Sequence, residues 1–100
     1  MKKNYPTREA ARSAILIAGL QVAQSKGYQQ VTLGDIAERC NRTRGWVCNR
    51  VQAEDLPDEI MRAACEGRVL RVIAQGLATG HAAALALPEG VRRAAVEAVI

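Results

Sequence analysis

Between Val31 and Val51 the sequence has room for two short helices and nothing longer, and this constrains the fold more than any other feature. Thr32 precedes Leu33, Ile36, Ala37 and Cys40, whose i, i+3, i+4, i+7 spacing marks one apolar helical face. Asp35 follows Thr32 in a capping-box arrangement, with Asp in the place usually taken by Glu. Asn41 tolerates the left-handed conformation that a tight turn needs. Thr43 then caps a second start, with Val47 and Val51 at i, i+4 as its inner face. The spacing predicts helices over about 32–39 and 43–51. Two short helices joined by such a turn form a helix-turn-helix unit.

The flanking sequence also reads as helical. Residues 1–6 are expected to form a flexible arm ending at Tyr5-Pro6. Thr7 is a good N-cap and Glu9 favours the positive end of a helix. Ile15, Ala18, Gly19, Val22 and Ala23 then form one apolar stripe, and Gly27 after Lys26 is a stop signal, so a helix is expected over about 7–26. A fourth helix is expected from the acidic run at Glu54–Glu59, with Pro57 at its start, to Thr79-Gly80. Its buried stripe reads as Met61, Cys65, Val69, Val72 and Leu77, and Gly67 weakens its middle. Residues 82–87 are rich in Ala and Leu. Pro88 and Glu89 open a last short helix bearing Val91, Ala95, Val96 and Val99. Hydrophobic residues make up 49% of the chain but aromatics only 3%, with no Phe. Small aliphatic side chains must build the core, which favours helices packed at short distance. The expected fold is an all-α helical bundle in one compact domain: residues 1–56 carry the helix-turn-helix, and 57–100 are C-terminal helices for dimerisation.

Charge is distributed unevenly. Residues 1–50 hold nine Lys/Arg and three Asp/Glu, a balance of +6; residues 51–100 hold five and seven, a balance of −2. A basic half joined to a slightly acidic half suits a chain with one end facing a polyanion. A generic solvated basic surface is the alternative. No apolar run is long enough to span a bilayer and no signal-peptide core follows Met1-Lys2-Lys3, so a cytoplasmic location without membrane association is expected. Cys40, Cys48 and Cys65, with His81, have spacings unlike common zinc modules, and reduced, partly buried thiols are expected instead of a metal site. One His, no glycine-rich phosphate loop and no nucleophile paired with a base argue against an enzyme; no cofactor is expected.

The run Ile15-Leu16-Ile17-Ala18-Gly19-Leu20, then Lys26-Gly27-Tyr28, then Val31-Thr32-Leu33-Gly34-Asp35-Ile36-Ala37-Glu38-Arg39, then Thr43-Arg44-Gly45 resembles the N-terminal DNA-binding domain of TetR-type transcriptional repressors. The resemblance covers about residues 10–58, and its specificity lies in the order and spacing of these pieces. It implies a homeodomain-like helical domain that binds duplex DNA. There are departures. Arg42 stands where the family has a small apolar residue packed under the turn, so its side chain must swing outward. Cys48 and Val51 stand where the family has tyrosine and phenylalanine. Glu54 replaces a lysine before helix four in a loop one residue shorter, so the resemblance gives no support for the family's phosphate contact there. Full-size members carry a long C-terminal ligand-binding domain. About forty residues after the start of helix four cannot enclose a drug-sized pocket, so no small-molecule inducer is expected.

The residues themselves agree with a DNA-binding role. A helix in the major groove reaches base edges with its N-terminal residues. Arg44 could grip guanine O6 and N7, and Asn49 could pair with adenine. Trp46 could press on a thymine methyl or a sugar, or form a hydrophobic lid over the third helix. Thr32, Arg42, Thr43 and Arg50 are candidate phosphate contacts, and Cys48 shares their face. A solvated surface charge is the alternative for Arg44. The expected function is a sequence-specific transcriptional regulator, a repressor that binds a palindromic operator as a homodimer. The dimer is expected to pair through Met61, Val69, Val72, Ile73, Leu77, Leu85, Leu87, Val91, Val96, Val99 and Ile100. Two alternatives are a packaging or replication adaptor of the small-terminase kind and a protein-interaction module that no longer touches DNA.

Overall fold

Thr7 accepts a hydrogen bond from the Ala10 N–H at 3.0 Å, and with Glu9 in the first turn it starts α1, Arg8–Lys26. The computed structural model describes residues 7–100; the arm expected at 1–6 lies outside the described residues. Ala11, Ile15, Ala18, Gly19 and Ala23 are buried along one face of α1. Gly27 ends it at φ 93°, and a Cβ there would meet the Gln30 side chain at 2.5 Å. A 3-10 turn at Tyr28–Gln30 leads to α2, Leu33–Cys40. The capping box is complete: Thr32 Oγ1 accepts from the Asp35 N–H at 3.0 Å, and Asp35 Oδ2 accepts from the Thr32 N–H at 2.9 Å.

The remaining helices are α3 (Arg44–Cys48), α4 (Leu56–Gly67, entered through a 3-10 turn at Ala53–Asp55), α5 (Leu70–Thr79), α6 (Ala82–Leu85) and α7 (Glu89–Ala98). Among the described residues the fold is entirely helical. One core runs through it. Ile15, Ile36, Val47, Leu56, Ile60, Met61, Val72 and Ile73 are fully buried, and Ala95 of α7 joins them. At Gly76 the helices come closest. A Cβ there would stand 2.6 Å from Met61 Sδ and 2.8 Å from Ala84 Cβ.

Two helix boundaries differ from expectation. The predicted single helix from about 57 to 79 is two helices, broken at Arg68. Arg68 is left-handed (φ 54°, ψ 45°); its N–H donates to the Cys65 carbonyl at 3.4 Å, and the Val69 N–H donates to Ala64 at 2.9 Å. This is a Schellman closure. The break lets α5 fold back on α4, so that Ile60, Met61, Val72 and Ile73 bury one another's surroundings instead of lining one long rod. The helix predicted over 43–51 ends at Cys48, with Asn49 as its cap. The chain still turns helically beyond it, because the Val51 N–H donates to the Val47 carbonyl at 3.1 Å.

The expected dimer stripe is also corrected. Met61, Val72 and Ile73 are wholly buried within the chain, and α7 packs chiefly against α5. Val69, Leu77, Leu87 and Val91 are half-buried against the same core. Leu85, Val96 and Val99, with Ile100, remain substantially exposed. No helix among the described residues is long and apolar enough to cross a membrane.

Candidate nucleic-acid interface

The connection from α2 to α3 is built from its capping residues. Asn41 is left-handed (φ 54°, ψ 46°), its N–H donating to Glu38 at 3.2 Å and the Arg42 N–H donating to Ala37 at 2.9 Å. Thr43 Oγ1 then accepts from the Trp46 N–H at 3.1 Å and opens α3. Val47 and Val51 are buried and fix which way the helix faces. Asn41, Arg42, Thr43, Arg44, Gly45, Cys48, Asn49 and Arg50 are consequently exposed together, with Trp46 half-buried among them.

The electrostatics of α3 run against its own helix. Acids occupy the first turns of α1 (Glu9), α2 (Asp35), α4 (Asp58, Glu59) and α7 (Glu89), where the helix dipole favours them. The first turn of α3, like those of α5 and α6, has none, and Arg44 stands at its first position beside Arg42. Among the described residues, Arg42, Arg44 and Arg50 make no ion pair, as Arg8, Arg39, Arg68, Arg71 and Arg92 also do not, whereas Arg12, Lys26, Arg62 and Arg93 each face a carboxylate.

Arg42 and Arg50 converge on Trp46. Their guanidinium carbons lie 4.9 Å and 4.2 Å from the indole ring centroid, within cation–π range. Arg50 Nη1 also donates to the Trp46 carbonyl at 2.8 Å. Arg42 therefore points outward, as an arginine at that turn must. Trp46 carries two cations on a ring that packs against the core.

Not every expected site residue joins this cluster. Thr32 lies at the far end of α2, and eight residues of helix rise about 12 Å. Its hydroxyl is engaged in the capping box, beside the Lys26–Asp35 ion pair at 2.7 Å. That lysine, and secondarily the Thr32 backbone N–H, hold the Asp35 carboxyl below its ordinary range. In the other direction the cluster is larger than expected. Arg8 and Arg12 of α1 share a surface recess with Asn49 and Arg50, Arg12 also pairing with Glu59. The signal for them was present: two arginines at i, i+4, which helical spacing places on the same side of the first helix as Ile15, three and seven residues before it.

The sulfur residues are spread out. Cys48 is exposed on α3, Cys40 is half-buried with Sγ 3.8 Å from the Ala14 carbonyl, and Cys65 is buried in α4. Burial pushes the Cys40 and Cys65 thiols up. His81 is engaged elsewhere: one ring nitrogen faces Asp58 at 2.9 Å and the other accepts from the Ala83 N–H at 3.1 Å. Among the described residues no three His, Cys, Asp or Glu gather as they would around a metal. No protein-family model, curated protein or solved structure matches the chain.

Proposed function

We propose that the chain is a sequence-specific regulator of transcription that binds duplex DNA, with α2 and α3 acting as a TetR-like helix-turn-helix. The observation that carries this is the set of exposed arginines around α3, none of them paired with a carboxylate among the described residues, at a helix start that lacks acids. Such charges are worth most against a phosphate backbone. Arg44 and Asn49 are the candidates for base edges, as the first position and the cap of a helix short enough to enter a major groove end-on. Thr43, Arg42 and Arg50 are candidates for phosphate. On this reading the protein acts in the cytoplasm as a repressor.

A homodimer on a palindrome completes the reading, because one short helix makes few base contacts. Leu85 and Val96, 49% and 46% exposed, and Val99 offer the apolar surface for it. Selection of bound sequences from random duplex DNA tests the whole proposal. An enriched, two-fold symmetric motif is the expected result. Enrichment of no sequence, or affinity that does not fall with added salt, would overturn it. Sedimentation at micromolar concentration tests the dimer: a monomer bound to a single asymmetric half-site refutes it, and a ring of many subunits favours a packaging adaptor.

A further inference from the structure

We propose that Trp46 is a positioning residue that holds Arg42 and Arg50 as one two-guanidinium clamp on the phosphodiester backbone of duplex DNA. This rests on the duplex-binding reading above and specifies how its phosphate contacts are made. Arg42 and Arg50 stand four residues before and four residues after Trp46. Helical spacing brings Arg50 past the indole, whereas Arg42 reaches it from the turn before the Thr43 cap. Both guanidinium carbons lie within 5 Å of its ring centroid, at 4.9 Å and 4.2 Å. The ring packs against the core, and Arg50 is further tied by its bond to the Trp46 carbonyl.

Two like charges on one ring repel, and among the described residues no carboxylate offsets them. The electron-rich indole is the group they share. The phosphates of a nucleic-acid backbone supply the missing charge to both forks. The remaining donors of the guanidinium forks match phosphate geometry. With two guanidiniums already over its ring, the indole acts through the arginines and reads no base. A loosely solvated arginine loses side-chain freedom when it grips a phosphate; one already held on the ring loses less.

The test uses the full chain, a labelled duplex and a salt series. Trp46→Leu is expected to weaken binding about tenfold on selected and random duplexes alike, the order expected for two arginines that must be ordered anew. It should also make the salt dependence shallower. Trp46→Phe, which keeps a ring, should restore most of the loss. Arg42→Ala and Arg50→Ala should matter much less in the Trp46→Leu background than in the parent, with thermal unfolding showing all variants folded. If Trp46→Leu instead loses discrimination while random-duplex affinity holds, the indole reads bases and the clamp is wrong. If it changes nothing while the arginine variants still weaken binding, the ring has no positioning role. A second arm needs no DNA. Trp46 is the only tryptophan, so its emission reports the clamp directly. Inorganic pyrophosphate should change that emission more than chloride at equal ionic strength, and Arg42→Ala and Arg50→Ala should each abolish the difference. A pyrophosphate response without duplex binding supports the clamp and refutes the DNA reading. Duplex binding with a silent indole does the reverse.

Discussion

Replacing Gly76 by alanine separates two opposed effects by their sign. In an exposed helix the change would stabilise by roughly 1 kcal/mol, because alanine loses less backbone entropy. Here Gly76 is buried in α5 at its crossing with α4 and α6. The new methyl would stand 2.6 Å from Met61 Sδ, 2.8 Å from Met61 Cε and 2.8 Å from Ala84 Cβ, against an ordinary contact of about 3.5–4.0 Å. Met61 can swing its thioether aside, but Ala84 Cβ is fixed to the α6 backbone and moves only if the helix moves. Overpacking of this kind costs about 1–3 kcal/mol. The packing term therefore outweighs propensity, and a net loss of about 1–2 kcal/mol is expected. Urea unfolding followed by far-UV circular dichroism measures it, with the m-value checking that the denatured state is unchanged. Ala84→Gly removes the rigid half of the clash. The double variant should recover at least about 0.5 kcal/mol relative to the sum of the two singles. A Gly76→Ala protein more stable than the parent would refute the close crossing and the core arrangement built on it.

Arg68→Gly should stabilise by up to about 1 kcal/mol in the same assay, since the left-handed penalty exceeds the worth of the Arg68 Nη1 bond to the Cys65 carbonyl; a loss would show that the guanidinium matters more than the backbone. Asp35, held below its ordinary value of 3.8 first by the Lys26 side-chain bond, contributes stability that is present above that value and drains away as pH falls through its lowered folded pKa. Asp35→Asn should flatten that part of the acid unfolding profile, and an unchanged acid slope would contradict the pairing. In binding, Arg44→Ala and Asn49→Ala should each cost about 1–3 kcal/mol on the selected site and less on random duplex, while Arg50→Ala weakens both alike. Equal losses on both DNAs for all three would refute that division of roles.

Where a residue type and its position agreed, the fold was legible. Thr7, Thr32 and Thr43 read as caps and act as caps, because a short hydroxyl side chain before an apolar-periodic run has little else to do. Three helices end in the same closure, with Asn41, Arg68 and Gly80 left-handed. Asn41 and Gly80 announce it, being types that tolerate the conformation. Arg68 does not. The visible irregularity was Gly67, one position early, and nothing local marks an arginine as the residue that turns. With the break, α5 packs against α4 and both Met61 and Ile73 are buried.

The same fold-back covers part of the C-terminal apolar stripe that the sequence offers for pairing. Periodicity identifies a face that seeks cover; it does not say what supplies it. Read as one long helix, residues 57–79 left Met61, Val72 and Ile73 with too few partners in a chain this small, and a second copy was the natural cover. Broken at Arg68, the same residues cover one another, and Ala84 of α6 and Ala95 of α7 complete the enclosure. The surface left for association is therefore smaller than the sequence suggests and lies on α6 and α7, where Leu85 and Val96 stand clear of the core. The basic cluster around α3 is untouched by that change. Its geometry depends on Thr43, Val47 and Val51, all within a few residues of the arginines they aim, so its local shape follows from nearby sequence in a way that the packing of the C-terminal half does not.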